Sequence, residues 1–334
     1  MKNKTAITTF LMFLLASCQQ AIVPAISTPT LSPSPTTAIT PTQQTLPPTS
    51  EMPSATPAPQ YNIPNFAHIV ILIFENKEYG YVIDNPSMPF YNRLSLAYTT
   101  LTQYYAPTHP SLPNYLALVG GDTFGIVDDC DFTDCHADQV SLPDLIEASG
   151  RTWKTYQEGM KQPCLIKDVG GYVRKHNPFI FFDPIRLNAE RCNQSVVPLE
   201  YLDDDIASGN LPNYIFITPD LCNSSHDCEQ RVADDWLENI YNKIQPALEA
   251  DGQPYLIVLT WDEGQGTHSC CGIPEPAGGR VATVLISPQV KEGFKDDTPY
   301  THYSLVKTIA AAWGMDFLNH AADETTEIIL APWK

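Results

Sequence analysis

Three short runs in this chain consist almost entirely of apolar, β-branched and aromatic residues, and each stops on an acid. His68-Ile-Val-Ile-Leu-Ile-Phe74 leads into Glu75-Asn76, Asn213-Tyr-Ile-Phe-Ile-Thr218 into Pro219-Asp220, and Tyr255-Leu-Ile-Val-Leu-Thr-Trp261 into Asp262-Glu263-Gly264. A strand with no polar alternation has no face to offer water, so it belongs in the middle of a sheet covered on both sides, typically a parallel one. Ligands of such sheets sit beyond the carboxyl ends of the strands. Several carboxylates delivered to one crevice form a set of hard oxygens suited to a divalent cation.

The segments between these runs read as helices. Pro89–Tyr98, Ser141–Ser149 with Ser141 as N-cap, Asp234–Ala250 with apolar residues at helical spacing, and Tyr303–Trp313 are expected helical. Arg151–Tyr156 and Arg280–Ser287 are further strand candidates. Alternating strands and helices define the α/β class with a mostly parallel sheet. Residues 121–194 are irregular and carry cysteines, and read as a possible cap insertion over the site.

The ends of the chain have a different character. Lys2 and Lys4, an apolar Ala6–Leu15 and the sequence Leu15-Ala16-Ser17-Cys18 read over residues 1–18 as an export signal of lipoprotein type, with the lipid on Cys18. Positions 21–60 hold ten prolines, fourteen Ser/Thr and Glu51 as the one charge. That composition cannot bury a core, so residues 19–60 are expected to be a disordered, extended tether. Residues 61–334 are then enough for one large α/β domain. Its charge is −20, from 19 Lys/Arg less Lys2 and Lys4 against 38 Asp/Glu less Glu51. So acidic a surface argues against nucleic acid as a partner. Eight cysteines remain after Cys18, an even number that fits disulfides in an exported protein; Cys130–Cys135, Cys164–Cys192 and Cys222–Cys228 are the expected short-range pairs. No Cys-x-x-Cys spacing suggests a zinc site.

Ser111 stands at an expected helix start, with Pro113 in the first turn and an apolar run behind it. A helix N-terminus offers free N–H groups and a positive dipole end to an anion; plain N-capping is the alternative. His68 reads as structural, His136, His268 and His320 as solvated loop residues, Asp203-Asp204-Asp205 as an acidic turn and Trp261 as core.

Taken in order, Glu75-Asn76, His109-Pro-Ser-Leu-Pro-Asn-Tyr115, Lys175-His-Asn-Pro-Phe179, Leu211-Pro-Asn-Tyr214 with Asp220, His226-Asp227-Cys228, Trp261-Asp-Glu-Gly264 and His302-Tyr-Ser304 resemble the phosphoesterase family. That family holds bacterial acid phosphatases and phosphatidylinositol-phosphate phosphatases and is related to phospholipases C. The resemblance covers residues 66–316 and implies an alkaline-phosphatase-like α/β/α sandwich. It implies Ser111 as nucleophile and Glu75, Asn76, Ser111, Asp262 and Glu263 as ligands of one divalent metal ion (Mg, Ca, Mn or Zn). Asn114 would then donate to a phosphoryl oxygen, and His109, His176, His226 and His302 would bind that oxygen or protonate the leaving group. Two-zinc relatives carry an Asp and a His four residues apart on the later loop. Here Asp220 is followed at that offset by Ser224, so a second metal is not implied.

The expected activity is hydrolysis of phosphomonoesters through a phosphoseryl intermediate, with a small phosphorylated molecule or a phospholipid head group as substrate. A phospholipase C-like phosphodiesterase and a non-catalytic surface binding protein are the alternatives. The expected location is outside the cytoplasm, on the bacterial membrane through Cys18; oligomeric state is left open.

Overall fold

The computed structural model describes residues 61–334; the export signal, Cys18 and the 19–60 tether lie outside the described residues. Nine strands form one sheet. In chain order the elements are β1 (His68–Phe74), α1 (Tyr79–Val82), α2 (Pro89–Ala97), β2 (Thr99–Tyr105), α3 (Ser111–Gly120), α4 (Leu142–Ala148), β3 (Trp153–Gln157), α5 (Asp183–Arg186), α6 (Ala189–Ser195), β4 (Val196–Pro198), α7 (Tyr201–Ser208), β5 (Tyr214–Thr218), α8 (Gln230–Asp251), β6 (Tyr255–Trp261), β7 (Arg280–Ile286), β8 (Lys295–Asp296), β9 (Tyr300–Thr301) and α9 (His302–Trp313).

The strand order is β4-β3-β5-β1-β6-β7-β2-β8, with β9 paired to β2. Only β7 runs against the others, being antiparallel to both β6 and β2. Every residue of β1, β5 and β6 is buried, as their unbroken apolar runs require. Helix α3 packs on α9 and α2 on α8, giving the three-layer α/β/α arrangement. Among the described residues no helix is long and apolar enough to cross a membrane.

Strand β1 is the pivot of the topology. The chain leaves it for β2 on one side, returns through β3, β4 and β5 on the other, and then lays β6 directly against β1. The carboxyl ends of β5, β1 and β6 therefore open onto a switch point, where open α/β sheets bind ligands. Residues 121–194, read as a possible cap, contribute β3 to the sheet beside β5, so that part of the segment belongs to the core architecture. The expected disulfides Cys130–Cys135, Cys164–Cys192 and Cys222–Cys228 are formed, and the last two cysteines join as the adjacent pair Cys270–Cys271.

Local signals explain the helix ends. Ser141 is the N-cap of α4 and shares a capping box with Asp144, whose carboxylate accepts from the Ser141 N–H at 2.7 Å. Ser111 departs from its expected role. The N-cap of α3 is Pro110, Ser111 is the first helical residue, and its hydroxyl is thereby left to face the crevice.

Candidate active site

Strand β1 delivers Glu75 and strand β6 delivers Asp262 and Glu263 to the switch point, and all three carboxylates are buried. Register sets this convergence: Phe74 lies opposite Trp261, so Glu75 and Asp262 are the next residues of two paired strands. Helix α3 brings Ser111 to the same place, its Oγ donating to Glu75 Oε2 at 3.3 Å. Both oxygens of Asp262 and Oε1 of Glu75 are buried without a hydrogen bond. Such atoms are rare, because a buried polar group without a partner costs about 1–3 kcal/mol and a charged one more.

Burial pushes the Asp262 carboxyl well above its ordinary value, and the charges of Glu75 and Glu263 push it further. The Ser111 hydroxyl offsets part of this, although it is not aligned to donate to either Asp262 oxygen. Buried acidic oxygens without hydrogen bonds, crowded against other carboxylates, form a donor set that a hard divalent cation would satisfy. Among the described residues no three His, Cys, Asp or Glu side chains are already gathered at ligand spacing. The fitting set is instead mixed: Glu75, Asp262 and the Ser111 hydroxyl. Asn76 is half-buried beside Glu75. Glu263 is drawn away, because its Oε2 lies 2.5 Å from His109 Nδ1.

The four histidines expected around the phosphoryl group divide by environment. His302 is a correction. It is wholly buried, its Nε2 is 2.6 Å from the Asp262 carbonyl oxygen and its Nδ1 is 3.2 Å from the Tyr104 hydroxyl. With both nitrogens engaged it cannot reach a leaving group, and burial lowers its pKa to about 4. It holds the backbone of Asp262 in place. His109 is likewise engaged on both sides, by Glu263 and by the Gly266 carbonyl at 2.8 Å. The Glu263 hydrogen bond raises the pKa of His109, and partial burial opposes that rise.

His176 lies against Glu75. It is 2% exposed, stacks on Tyr115 of α3 at 5.3 Å, and places Nε2 2.7 Å from Glu75 Oε1, in a contact whose angles miss a hydrogen bond. His226 lies 5.9 Å from His176 between ring centroids. Its Nδ1 is held by Asp227 at 2.7 Å, its side chain is 30% exposed, and among the described residues its Nε2 has no partner. Of the four, His226 is the one with an unengaged ring nitrogen on a partly exposed side chain.

Asn114 is a second correction. Its Nδ2 donates to the carbonyls of Thr108 and Pro110 and its Oδ1 accepts from the Thr108 N–H, so the amide ties down the loop before α3 and has nothing left for a phosphoryl oxygen. Asp220 accepts from the N–H groups of Cys222 and Asn223, which makes it the brace of the disulfide-closed loop that carries His226. His68, read as structural, holds the Pro212 carbonyl; His136, read as solvated, pairs with Asp183; Asp203 and Asp205, read as an acidic turn, lie in α7 and pair with Lys243 and Lys154.

Sequence reasoning missed two cations. Lys77 donates to the Ser225 carbonyl at 2.9 Å; burial lowers its pKa, and the charges of Asp262 and Glu75 partly restore it. Lys175 donates to Asp129 at 2.8 Å. Burial alone would lower the pKa of Lys175, but Asp129, Glu75 and Asp262 together raise it. Lys77 stands two residues beyond a strand-end acid and Lys175 beside His176, so position in the motif was the available signal. Asp129 had none, since its bond to the Leu112 N–H spans loops distant in sequence.

The chain has relatives among known proteins. Residues 80–316 match the model of the Phosphoesterase family. An acid phosphatase of Aspergillus fumigatus is 36% identical over 231 residues, 65% of this chain and 49% of that protein. The phosphatidylinositol-3-phosphatase of Mycobacterium tuberculosis is 28% identical, covering 78% of this chain and 81% of its own length. Against the fungal acid phosphatases the chain spans between about half and under two thirds of their length. Among solved structures, a protein in the alkaline phosphatase superfamily from Vibrio parahaemolyticus superposes with a TM-score of 0.55 at 12% identity, over 83% of this chain and 72% of the other.

Proposed function

The chain belongs to the Phosphoesterase family, and from that premise we propose that it is a metal-dependent hydrolase of phosphomonoesters with Ser111 as nucleophile. The observation that carries this reading is the pair of buried Asp262 oxygens with no hydrogen bond, beside a Glu75 carboxylate that meets Ser111 and His176. Glu75, Asp262 and Ser111 would hold the cation, with Asn76 and Glu263 at its margin. When bound, it would lower the pKa of the serine hydroxyl and screen the phosphate from an incoming nucleophile.

The chain's own groups supply the remaining chemistry. Ser111 Oγ would pass its proton to Glu75 Oε2, its acceptor at 3.3 Å, and attack phosphorus with the ester oxygen leaving on the opposite side; the proton returns to Oγ when water cleaves the phosphoseryl ester. The first turn of α3 turns its free N–H groups and positive dipole end toward the phosphoryl oxygens. His226, oriented through Nδ1 by Asp227, gives a proton from Nε2 to the departing alcohol. The same nitrogen then takes a proton from the water that cleaves the phosphoseryl ester. His302 and Asn114 are positioning residues for Asp262 and for the 108–110 turn.

We place the protein outside the cytoplasm, attached to membrane through Cys18, with residues 19–60 as the tether. The complete pairing of the eight remaining cysteines supports an oxidising compartment. Ser111→Ala should abolish turnover of p-nitrophenyl phosphate with an unchanged circular-dichroism spectrum, and EDTA should abolish wild-type turnover until one metal is restored. Wild-type rates in Ser111→Ala would refute the nucleophile, and full activity after exhaustive chelation would refute the metal.

A further inference from the structure

We propose that Asp129 selects substrates by charge: it occupies the anion seat next to Ser111 and yields it to a dianionic phosphomonoester but not to a monoanionic phosphodiester. The inference rests on Ser111 being the reacting group. The seat has two donors. Leu112, the residue after Ser111, presents one of the first free N–H groups of α3, and it donates to Asp129 Oδ1 at 3.0 Å. The Lys175 ammonium donates to the other oxygen, Oδ2, at 2.8 Å. A carboxylate bridging a helix N-terminus and a lysine beside a nucleophile stands where two oxygens of a phosphoryl group would be held.

A second observation makes this more than a helix cap. His176, adjacent to Lys175 in the chain, is 2% exposed, has no hydrogen bond at either ring nitrogen, and is held against Tyr115 of α3 and Glu75. With Nε2 turned to Glu75, the buried Nδ1 meets no hydrogen-bond partner and has unmet capacity for a ligand. Beyond Asp129 the segment is anchored: Cys130–Cys135 closes it, and Arg174 Nη1 fastens Asp131 Oδ2 at 2.9 Å, so a swing of the Asp129 side chain would leave its loop attached.

Charge decides which anion can displace it. Glu75 and Asp262 lie near enough for their charges to act on Lys175. A phosphodiester carries one negative charge and would only replace the one that leaves, with nothing gained for opening the loop. A phosphomonoester dianion brings a second charge to Lys175 and to the helix end.

The test uses the full-length, metal-loaded protein and measures equilibrium binding at about pH 8, where inorganic phosphate is a dianion, with dimethyl phosphate as the monoanionic probe. Wild type should prefer inorganic phosphate. Asp129→Asn keeps an acceptor for Leu112 but drops the charge, and should tighten dimethyl phosphate about tenfold relative to inorganic phosphate. The monoester-to-diester ratio of kcat/KM for p-nitrophenyl and bis-p-nitrophenyl phosphate should fall through KM. An unchanged ratio, or equal weakening of both probes, would overturn the proposal. Lys175→Gln is an independent arm and should weaken inorganic phosphate more than dimethyl phosphate; equal losses count against the seat. Asp131→Asn loosens the loop but leaves Asp129 in place, so it should leave the ratio unchanged, and a shift matching that of Asp129→Asn would reduce the effect to loop mobility and sink the idea. If wild type shows the binding preference yet hydrolyses neither ester, the nucleophile reading fails and the charge selection stands.

Discussion

Replacing Asp262 by asparagine should change stability in opposite directions with and without metal. Asp262 is fully buried, neither oxygen is hydrogen-bonded, and Glu75 and Glu263 repel its charge. Asparagine keeps the shape, removes the charge and gives the neighbouring carboxylates a donor. Relief of one buried unpartnered acid is worth on the order of 2 kcal/mol. With ~1 kcal/mol moving the melting temperature of a large domain by roughly 2–4 °C, metal-free Asp262→Asn should melt roughly 4–8 °C above metal-free wild type. Because folding raises the Asp262 pKa, the native state holds a proton that the unfolded chain releases above about pH 4. Wild-type stability without metal should therefore fall as pH rises from there, and the variant's curve should be flatter.

Metal reverses the order. A cation present at about a hundred times its Kd stabilises the binding state by about 2.7 kcal/mol. Wild type should gain that increment while the variant, lacking a ligand, gains little. The assay is differential scanning fluorimetry of EDTA-stripped protein, titrated in turn with Mg, Ca, Mn and Zn salts. Either of two results would refute the reasoning: a metal-free variant that melts below wild type, or a variant that keeps the wild-type metal shift.

Other consequences are simpler to check. His226→Gln should lower kcat on p-nitrophenyl phosphate by about a hundredfold or more while sparing substrates with very acidic leaving alcohols, since only poor leaving groups need its proton; an equal loss on all substrates would point to a structural role. His109 gains its raised pKa from Glu263, so its ion pair adds stability that is complete below about pH 6.5 and disappears as pH climbs through the raised value. His109→Gln should remove that part of the wild-type pH dependence in a thermal-melt series, and an unaltered pH profile would argue that the pair contributes nothing. His302→Phe should destabilise the fold and lower activity without changing the leaving-group dependence, because His302 acts through the Asp262 carbonyl.

The framework of the fold was legible where local chemistry decides the outcome. β1, β5 and β6 announced themselves because each is apolar throughout and stops at a charge, and Ser141 announced α4 through a cap that depends on Asp144 three residues away. β2 did not, since Thr-Thr-Leu-Thr-Gln-Tyr-Tyr becomes a strand by pairing with β7, far along the chain. The site divides in the same way. Glu75, Ser111 and Asp262 could be placed from motifs at strand and helix ends. What His302 and Asn114 do could not, because a polar side chain is available for chemistry only if folding leaves it unspent. Tyr104 and the Asp262 carbonyl occupy one, and Thr108 and Pro110 occupy the other.

The bond from His302 to the Asp262 carbonyl also bears on when the chain becomes chemically competent. Glu75, Ser111, His176, His226 and Asp262 come from segments scattered along the sequence, and the side chain that fixes the Asp262 backbone arrives with the last helix, α9. A chain emerging from synthesis therefore carries every reactive group before it carries a working site. On the proposed activity, hydrolysis would begin only after the C-terminal helix has docked, and an unfinished chain would leave the phosphate esters around it intact.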